Sequence, residues 1–409
     1  MSMIAVLRSG LLRIGAAALI LTQAFGFHIA LAHETLGLEA PKPAIAMTPP
    51  MGWNSWNKFA CNIDETKIRA VADAMAASGM KDAGYQYIVI DDCWQKDRAA
   101  DGTIQADPDR FPSGIKALAD YVHSKGLKFG LYSDAGAKTC GGRPGSAGYE
   151  FQDARTWASW DVDYVKYDWC YTGTRNAEAA YTLMAKALRA SGRDIVLSIC
   201  EWGDNKPAEW APPLGHLWRT TGDIRDSWDK DEGYSHSFLW ILDHNADLWK
   251  TSGPNQWNDP DMLEVGNGGM TDVEYRSHFS LWAMLAAPLI AGNDLSAMDK
   301  ATLDILTNHD VIAVDQDKLG QQGRRVMKSE DTEVWVRPLA GGDRAVVLFN
   351  RGETAKSMSV DWEALQLPAA MKATVKDLWS KSVRKGVKGH YSAEVAPHGV
   401  VMVRISPTL

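Results

Sequence analysis

The sequence predicts a (β/α)8 barrel of the TIM type followed by a small antiparallel β-sandwich. Three observations carry that prediction. First, between about residues 50 and 294 one unit recurs: an amphipathic helix, a Gly-containing turn, then a short apolar strand. Continuous apolar strands alternating with helices imply a parallel sheet buried on both faces, and eight such units over roughly 270 residues fit a closed barrel. Second, nearly every strand stops at a polar or aromatic cluster, which places those clusters at the C-terminal rim where barrel active sites lie. Third, from about Lys318 helical periodicity gives way to short β-rich runs separated by turn signals.

Taken in order, residues 1–32 read as a signal peptide outside the fold. Arg8 and Arg13 precede an apolar run from Ile14 to Phe27, and Ala30-Leu31-Ala32 has the small-x-small form of a cleavage site. The run is too short and too rich in Gly and Ala to be read as a membrane span, and no later stretch has that character. The expected protein is exported, to the periplasm or beyond, with no membrane association after cleavage.

Residues 33–317 are assigned to the barrel and its lead-in, the latter extended by the four prolines between Ala40 and Pro50. Met51-Gly52-Trp53 is the first strand. Asp64 caps a helix with Ile68, Val71 and Met75 on one face, ended by Gly79. Tyr85 to Ile90 stops at Asp91-Asp92, and a helix from Ser113 to Gly126 precedes Leu127 to Tyr132, which stops at Ser133-Asp134. Trp157 to Asp161 leads into Tyr164 to Asp168. The helix of Ala177 to Ala190 leads to Ile195 to Ile199, which stops at Cys200-Glu201-Trp202. Leu217-Trp218-Arg219 leads to Asp223, and Gln256-Trp257-Asn258 to Asp259 and Asp261. A helix over Val273 to Ala286 precedes Pro288 to Ala291, which ends at Asn293-Asp294. Residues 318–409 form the sandwich, with strands at Val334 to Val336, Ala345 to Phe349, Ala373 to Val375 and Val400 to Val403. It carries no evident chemistry and reads as a shield for one side of the barrel.

The formal charge of −8, or −10 once residues 1–32 are removed, excludes a nucleic acid or an anionic membrane as the natural partner. The 17 Trp point elsewhere, because indole faces stack on the C–H faces of sugars as well as filling cores. Export permits disulfides, and the five Cys leave at least one unpaired within the chain. None lies in a C-x-x-C pattern, and spacing leaves open which four pair. A bridge between Cys140 and Cys170, at the ends of neighbouring strand units, would stiffen the loop after Asp168.

Collected at the expected rim are Trp53, Trp56, Asp91, Asp92, Tyr132, Lys166, Asp168, Glu201, Trp202, Arg219, Asp223, Asp259 and Asp261. A divalent metal is disfavoured there, since no His joins the group and Lys166 and Arg219 would repel a cation. A sugar-binding protein without catalysis would leave unexplained two further carboxylates on separate strands, each with a cation. Glycoside hydrolysis needs that arrangement: one carboxylate ionised, one able to donate a proton. Along the strand, Lys166 and Asp168 share a face, and the lysine is expected to keep Asp168 ionised. Asp223 takes the proton-donor role, whereas Asp226 reads as a cap or surface acid.

The same residues resemble glycoside hydrolase family 27, the α-galactosidases, and most closely its plant and bacterial members. The resemblance is carried by Thr48-Pro49-Pro50-Met51-Gly52-Trp53-Asn54-Ser55-Trp56, Ile90-Asp91-Asp92-Cys93-Trp94 and Asp107-Pro108-Asp109-Arg110-Phe111-Pro112. Lys166-Tyr167-Asp168, Cys200-Glu201-Trp202, Trp218-Arg219-Thr220-Thr221-Gly222-Asp223 and Trp257-Asn258-Asp259-Pro260-Asp261-Met262 continue it in order. It implies a retaining mechanism with Asp168 as nucleophile and Asp223 as acid and then base. Asp91, Asp92 and Lys166 would bind the sugar's O3, O4 and O6 side. Arg219, Glu201 and Trp202 would lie near O2, with Asp261 in the same subsite and Trp56 packed on the ring. The resemblance also implies disulfides Cys61–Cys93 and Cys140–Cys170, a free Cys200, and no cofactor or metal. The partner is a carbohydrate; α-N-acetylgalactosaminidase and β-L-arabinopyranosidase activities are alternatives on the same scaffold.

Overall fold

The computed structural model describes residues 41–408; the signal-peptide assignment lies outside them. Eight parallel strands form one curled sheet: β1 Met51–Asn54, β2 Tyr87–Val89, β3 Lys128–Asp134, β4 Tyr164–Asp168, β5 Val196–Ile199, β6 Leu217–Arg219, β7 Trp257–Asp259 and β8 Leu289–Ala291. From β1 to β7 each pairs with its chain neighbour, and β1 also pairs with β8. The seam between β7 and β8 is closed by Leu263, whose N–H donates to Ile290 O at 2.8 Å while its carbonyl accepts from Gly292 N at 3.0 Å. The apolar strands are buried end to end, as a sheet covered on both faces requires.

The helices follow from their caps and stripes. In α1, Glu65–Ala77, the Asp64 carboxylate accepts from Lys67 N, and Ile68, Val71 and Met75 turn inward. Helix α2 spans Gly114–Ser124, α3 Glu150–Ser159 and α4 Ala177–Ala190, the last capped by Asn176. Helix α5, Phe238–Asn245, sits between Asp223 and β7, where no helix was expected from the sequence. Helix α6, Asp272–Leu285, starts with a capping box of Thr271 and Glu274.

Six antiparallel strands form the main sheet of the C-terminal region, in the order β9 Arg324–Lys328, β10 Thr332–Pro338, β11 Arg344–Asn350, β16 Val400–Thr408, β13 Lys372–Asp377 and β14 Val383–Lys388. A second sheet pairs β12 Lys356–Asp361 with β15 His390–Val395. Between the sheets lie Val346, Leu348, Trp362, Val403 and Ile405. The expected strands are the interior ones, whereas β9, β12, β14 and β15 had no apolar run to betray them. Strand β14 is exposed at nearly every position and rich in Lys and Arg, which suits a sheet edge that must not pair further. The sandwich packs on α6, where the fully buried Arg337 donates to Ala283 O and, at 3.1 Å, to Asp315 O.

Much of the tryptophan enrichment is core. Trp53, Trp94, Trp157, Trp218, Trp257, Trp282, Trp335 and Trp362 are fully buried. Trp53, expected at the rim, instead donates from its indole N–H to Asn293 O at 2.7 Å and cannot meet a ligand. A strand side chain only a few residues from the rim still points into packing when its alternation faces the helices.

Candidate active site

Strand register builds the centre. Tyr132 on β3 lies beside Lys166 on β4, and Asp134 beside Asp168. The Tyr132 hydroxyl donates to Asp168 Oδ2 at 2.8 Å, and Trp169 N donates to Oδ1 at 2.9 Å. Both oxygens of a buried carboxylate are thereby held. The loop after β4 is locked to the loop after β3 by the Cys140–Cys170 disulfide and by Asp134, which accepts from Cys170 N at 2.9 Å. That closeness demands Gly136, where a Cβ would come within 1.9 Å of Cys170 O.

One expectation changes here. The Lys166 ammonium pairs with Asp91 Oδ2 at 2.8 Å, not with its strand neighbour Asp168. Burial lifts Asp168 to about 6 even though Lys166 pulls the other way. Asp168 is thus more basic than a surface carboxylate. Asp91 also accepts from Asn54 Nδ2 at 2.7 Å, a contact the sequence did not suggest although Asn54 ends β1. Asp92 accepts from Gly141 N and Cys93 N, both at 2.6 Å, and its burial raises its pKa. Cys61 and Cys93 form the other disulfide, tying the loop after β1 to that after β2.

Across the rim, Arg219 at the end of β6 reaches Asp261 Oδ2 at 2.9 Å and Asp223 Oδ1 at 3.2 Å. Its partner strand places Asp259 alongside, where burial raises the carboxyl to about 6. Asp261 has a left-handed backbone, φ +84°, fixed by carboxylate bonds from Ile224 N and Met262 N at 2.8 Å each. Asp223 differs from all of these: its side chain is 50% exposed. It is near enough for its charge to act on Asp168. Arrayed together are therefore a buried, anchored carboxylate and an accessible one, with Lys166 and Arg219 between acids.

Glu201 is fully buried but turned into its own loop, where Oε2 accepts from Asn205 N at 2.7 Å and Asn205 Nδ2 at 2.8 Å. Burial pushes it up to about 7 against the pull of the Asn205 bonds, and its other oxygen, Oε1, has no hydrogen-bond partner among the described residues. Trp202 is partly exposed, with φ +61°. The next residue, Gly203, packs so closely on β6 that a Cβ would lie 2.2 Å from Thr220 O, which brings this loop against the Arg219–Asp223 segment. Trp56 is partly exposed at the start of a one-turn helix after β1, its backbone N–H donating to Asn54 Oδ1 at 2.8 Å. Cys200 is buried and unpaired.

One acid escaped the sequence reading as a site residue. Asp134, raised to about 9 by burial and then by Asp168, sits directly beside the latter; its place at the end of β3 was the available signal. Asp226, expected to be a cap or surface acid, is partly buried and ties its loop to α6, accepting from Tyr275 OH at 2.7 Å and from Gly269 N. Asp134, Cys140 and Cys170 bring three ligand-type atoms within 4.8 Å of one another, but the two sulfurs are spent in a disulfide. No helix among the described residues is long and apolar enough to cross a membrane.

Comparison with known proteins agrees with this geometry. The family model described as alpha galactosidase A matches residues 48–317, and that of the alpha galactosidase C-terminal beta sandwich domain matches residues 329–405. The chain is 51% identical over 377 residues to alpha-galactosidase A of Cellvibrio japonicus, covering 89% of this chain and 93% of the relative. It is 52% identical over 365 residues to an alpha-galactosidase of Coffea arabica, covering 89% and 95%. An α-galactosidase of Saccharomyces cerevisiae solved with raffinose superposes with a TM-score of 0.85 at 30% identity, covering 90% of this chain and 100% of the other.

Proposed function

The chain belongs to the melibiase family of α-galactosidases, glycoside hydrolase family 27, and we propose that it hydrolyses terminal α-D-galactosyl residues by retaining double displacement. Asp168 attacks the anomeric carbon as the glycosidic C–O bond breaks, and Asp223 gives its proton to the leaving oxygen. Water then attacks the same carbon, Asp223 takes its proton, and the bond to Asp168 breaks. Net configuration is retained because the carbon is inverted twice.

The observation that carries this reading is the asymmetry of the two carboxylates. Asp168 is buried and fixed by Tyr132 and its own loop, whereas Asp223 is exposed enough to meet an incoming oxygen and water. Asp91, Asp92 and Lys166 supply the charged wall for the sugar hydroxyls, and Arg219 with Asp261 supplies the opposite one. Trp56 offers a partly exposed aromatic face for the ring. Oligosaccharides of the raffinose type, galactomannan side chains and glycoconjugates all carry the terminal residue this site would take; raffinose is the sugar found with the yeast relative.

The loop of Cys200 to Gly203 is proposed to set selectivity at C2. Trp202 fills the room that an acetamido group would need, and Glu201 shapes the loop through Asn205 rather than as a free anion. An α-galactoside should be preferred over its N-acetyl analogue by roughly two orders of magnitude, about 3 kcal/mol. Replacing Trp202 by Ala should narrow that gap; equal kcat/KM on both substrates would overturn the selectivity. The retaining assignment is tested by following product with NMR: α-galactose must appear first, and initial β-galactose would reject it.

A further inference from the structure

Asp168 is placed by a barrel strand, but Asp223 opens a two-residue strand, Asp223–Ile224, whose only strand partner among the described residues is Ser235–His236 of its own excursion, and half of its side chain faces solvent. A general acid must lie within hydrogen-bond reach of the leaving oxygen, so this excursion needs a firm seat. The bond from Ile224 N to Asp261 Oδ2 anchors its start, and the seat of its outer part is at Trp228. Its carbonyl accepts from Leu239 N at 3.0 Å, and its indole is 8% exposed. One neighbour is Phe238 at the start of α5, with ring centroids 5.1 Å apart. The other two, Phe349 at 5.8 Å and His398 at 4.6 Å, come from the sandwich. The His398 ring lies almost flat on the indole, at 16°.

His398 is held chiefly by Glu274, because the side chain of Glu353, its other carboxylate neighbour, is 86% exposed. Its Nδ1 is 2.7 Å from Glu274 Oε1 and its Nε2 is 3.1 Å from Glu353 Oε1. Its left-handed backbone, φ +53°, is fixed by Ser277 Oγ, which donates to its carbonyl at 2.6 Å. Burial alone would be served by an aliphatic side chain here. A ring held from the barrel side by Glu274, and face-on to one loop tryptophan, serves placement.

We propose that His398 is a positioning residue for catalysis: stacked on Trp228, it seats the loop that carries Asp223, so the sandwich sets where the general acid stands. The inference rests on the reading of Asp223 as acid and base given above. Its signature is dependence on the leaving group, because a substrate that departs without a proton does not need a well-placed acid.

The test compares kcat/KM of the full chain on dinitrophenyl α-galactoside and on raffinose. His398→Ala should lose about tenfold or more on raffinose, a fraction of the 10²–10⁴ that a general acid contributes, and less than about threefold on the aryl substrate. His398→Phe, which keeps a stacked ring, should restore most of the raffinose activity. Trp228→Phe, which shrinks the stacked face but keeps the plug, reads the same ratio should His398→Ala not fold. Equal losses on both substrates, or none, would overturn the inference provided Asp223→Asn shows the discrimination. If Asp223→Asn itself fails to discriminate, the acid assignment falls and this inference with it.

Discussion

The barrel rim and the barrel–sandwich interface both bury charge, but they do so on opposite terms. At the rim, Asp91, Asp92, Asp134, Asp168, Asp259 and Asp261 are buried around two cations, Lys166 and Arg219. Burial raises Asp168 and Asp259 to about 6 and Asp134 to about 9. At the interface, Asp243 and Glu333 face three cations, Arg325, Arg351 and Lys328. There, although burial opposes its charge, the bonds from Arg351 and Arg325 carry Asp243 down to about 2. Compensated burial stabilises, whereas uncompensated burial leaves groups poised to react, and the rim accepts that instability for function.

The sharpest way to break the comparison is Asp168→Asn. Turnover should fall by several orders of magnitude on every galactoside, while the fold should melt a few degrees higher at pH 7. The sign follows from linkage. Asp168 is raised in the folded state from 3.8 to about 6, so stability falls as pH rises through that window, and removing the charge removes the penalty. A lower melting temperature with lost activity would mean that the carboxylate is structural. Asp243 behaves in the opposite sense: its contribution is present above about 3.8 and is lost as pH falls toward 2.

Asp223→Asn should cost about 10²–10⁴ on raffinose and far less on dinitrophenyl α-galactoside, whose leaving group needs no proton. Uniform loss would assign it a binding role. A smaller effect is the acid limb of the free enzyme. As pH falls below about 6, Asp168 becomes protonated and kcat/KM should drop about tenfold per unit. A limb near 4 would show Lys166 winning over burial. Smallest on activity is Arg351→Ala at the interface. It should cost about 1–3 kcal/mol in urea unfolding, with kcat/KM on the aryl substrate within about twofold of wild type.

How far these regions were legible in the sequence follows the same divide. Barrel strands announce themselves as apolar runs ending in polar clusters, so Asp91, Lys166, Asp168, Arg219 and Asp223 could be placed before any coordinates. Pairing across the sheet could not: that Lys166 reaches Asp91 rather than Asp168 depends on side-chain direction at the rim. Likewise Glu201 carries no mark in the sequence that Asn205 holds it within its own loop. Helix α5 was missed because its eight residues open with the unbroken apolar run Phe238 to Leu242, which shows no helical alternation, and Ser237 makes no side-chain cap bond. The edge strands β9 and β14 were missed because a protected edge is built from charge rather than an apolar run. His398, Trp228 and Phe349 lie far apart in the chain, and only the fold brings them together.

The central claim, that Asp168 forms a covalent bond to the sugar, can be met directly. Asp223→Asn slows the water step that clears the intermediate, while a dinitrophenyl α-galactoside still loads it quickly. Rapid quenching followed by mass spectrometry of proteolytic peptides should show one galactosyl addition on the peptide that contains Asp168. An addition on any other residue would contradict the account, and so would its complete absence while dinitrophenol is released in a burst.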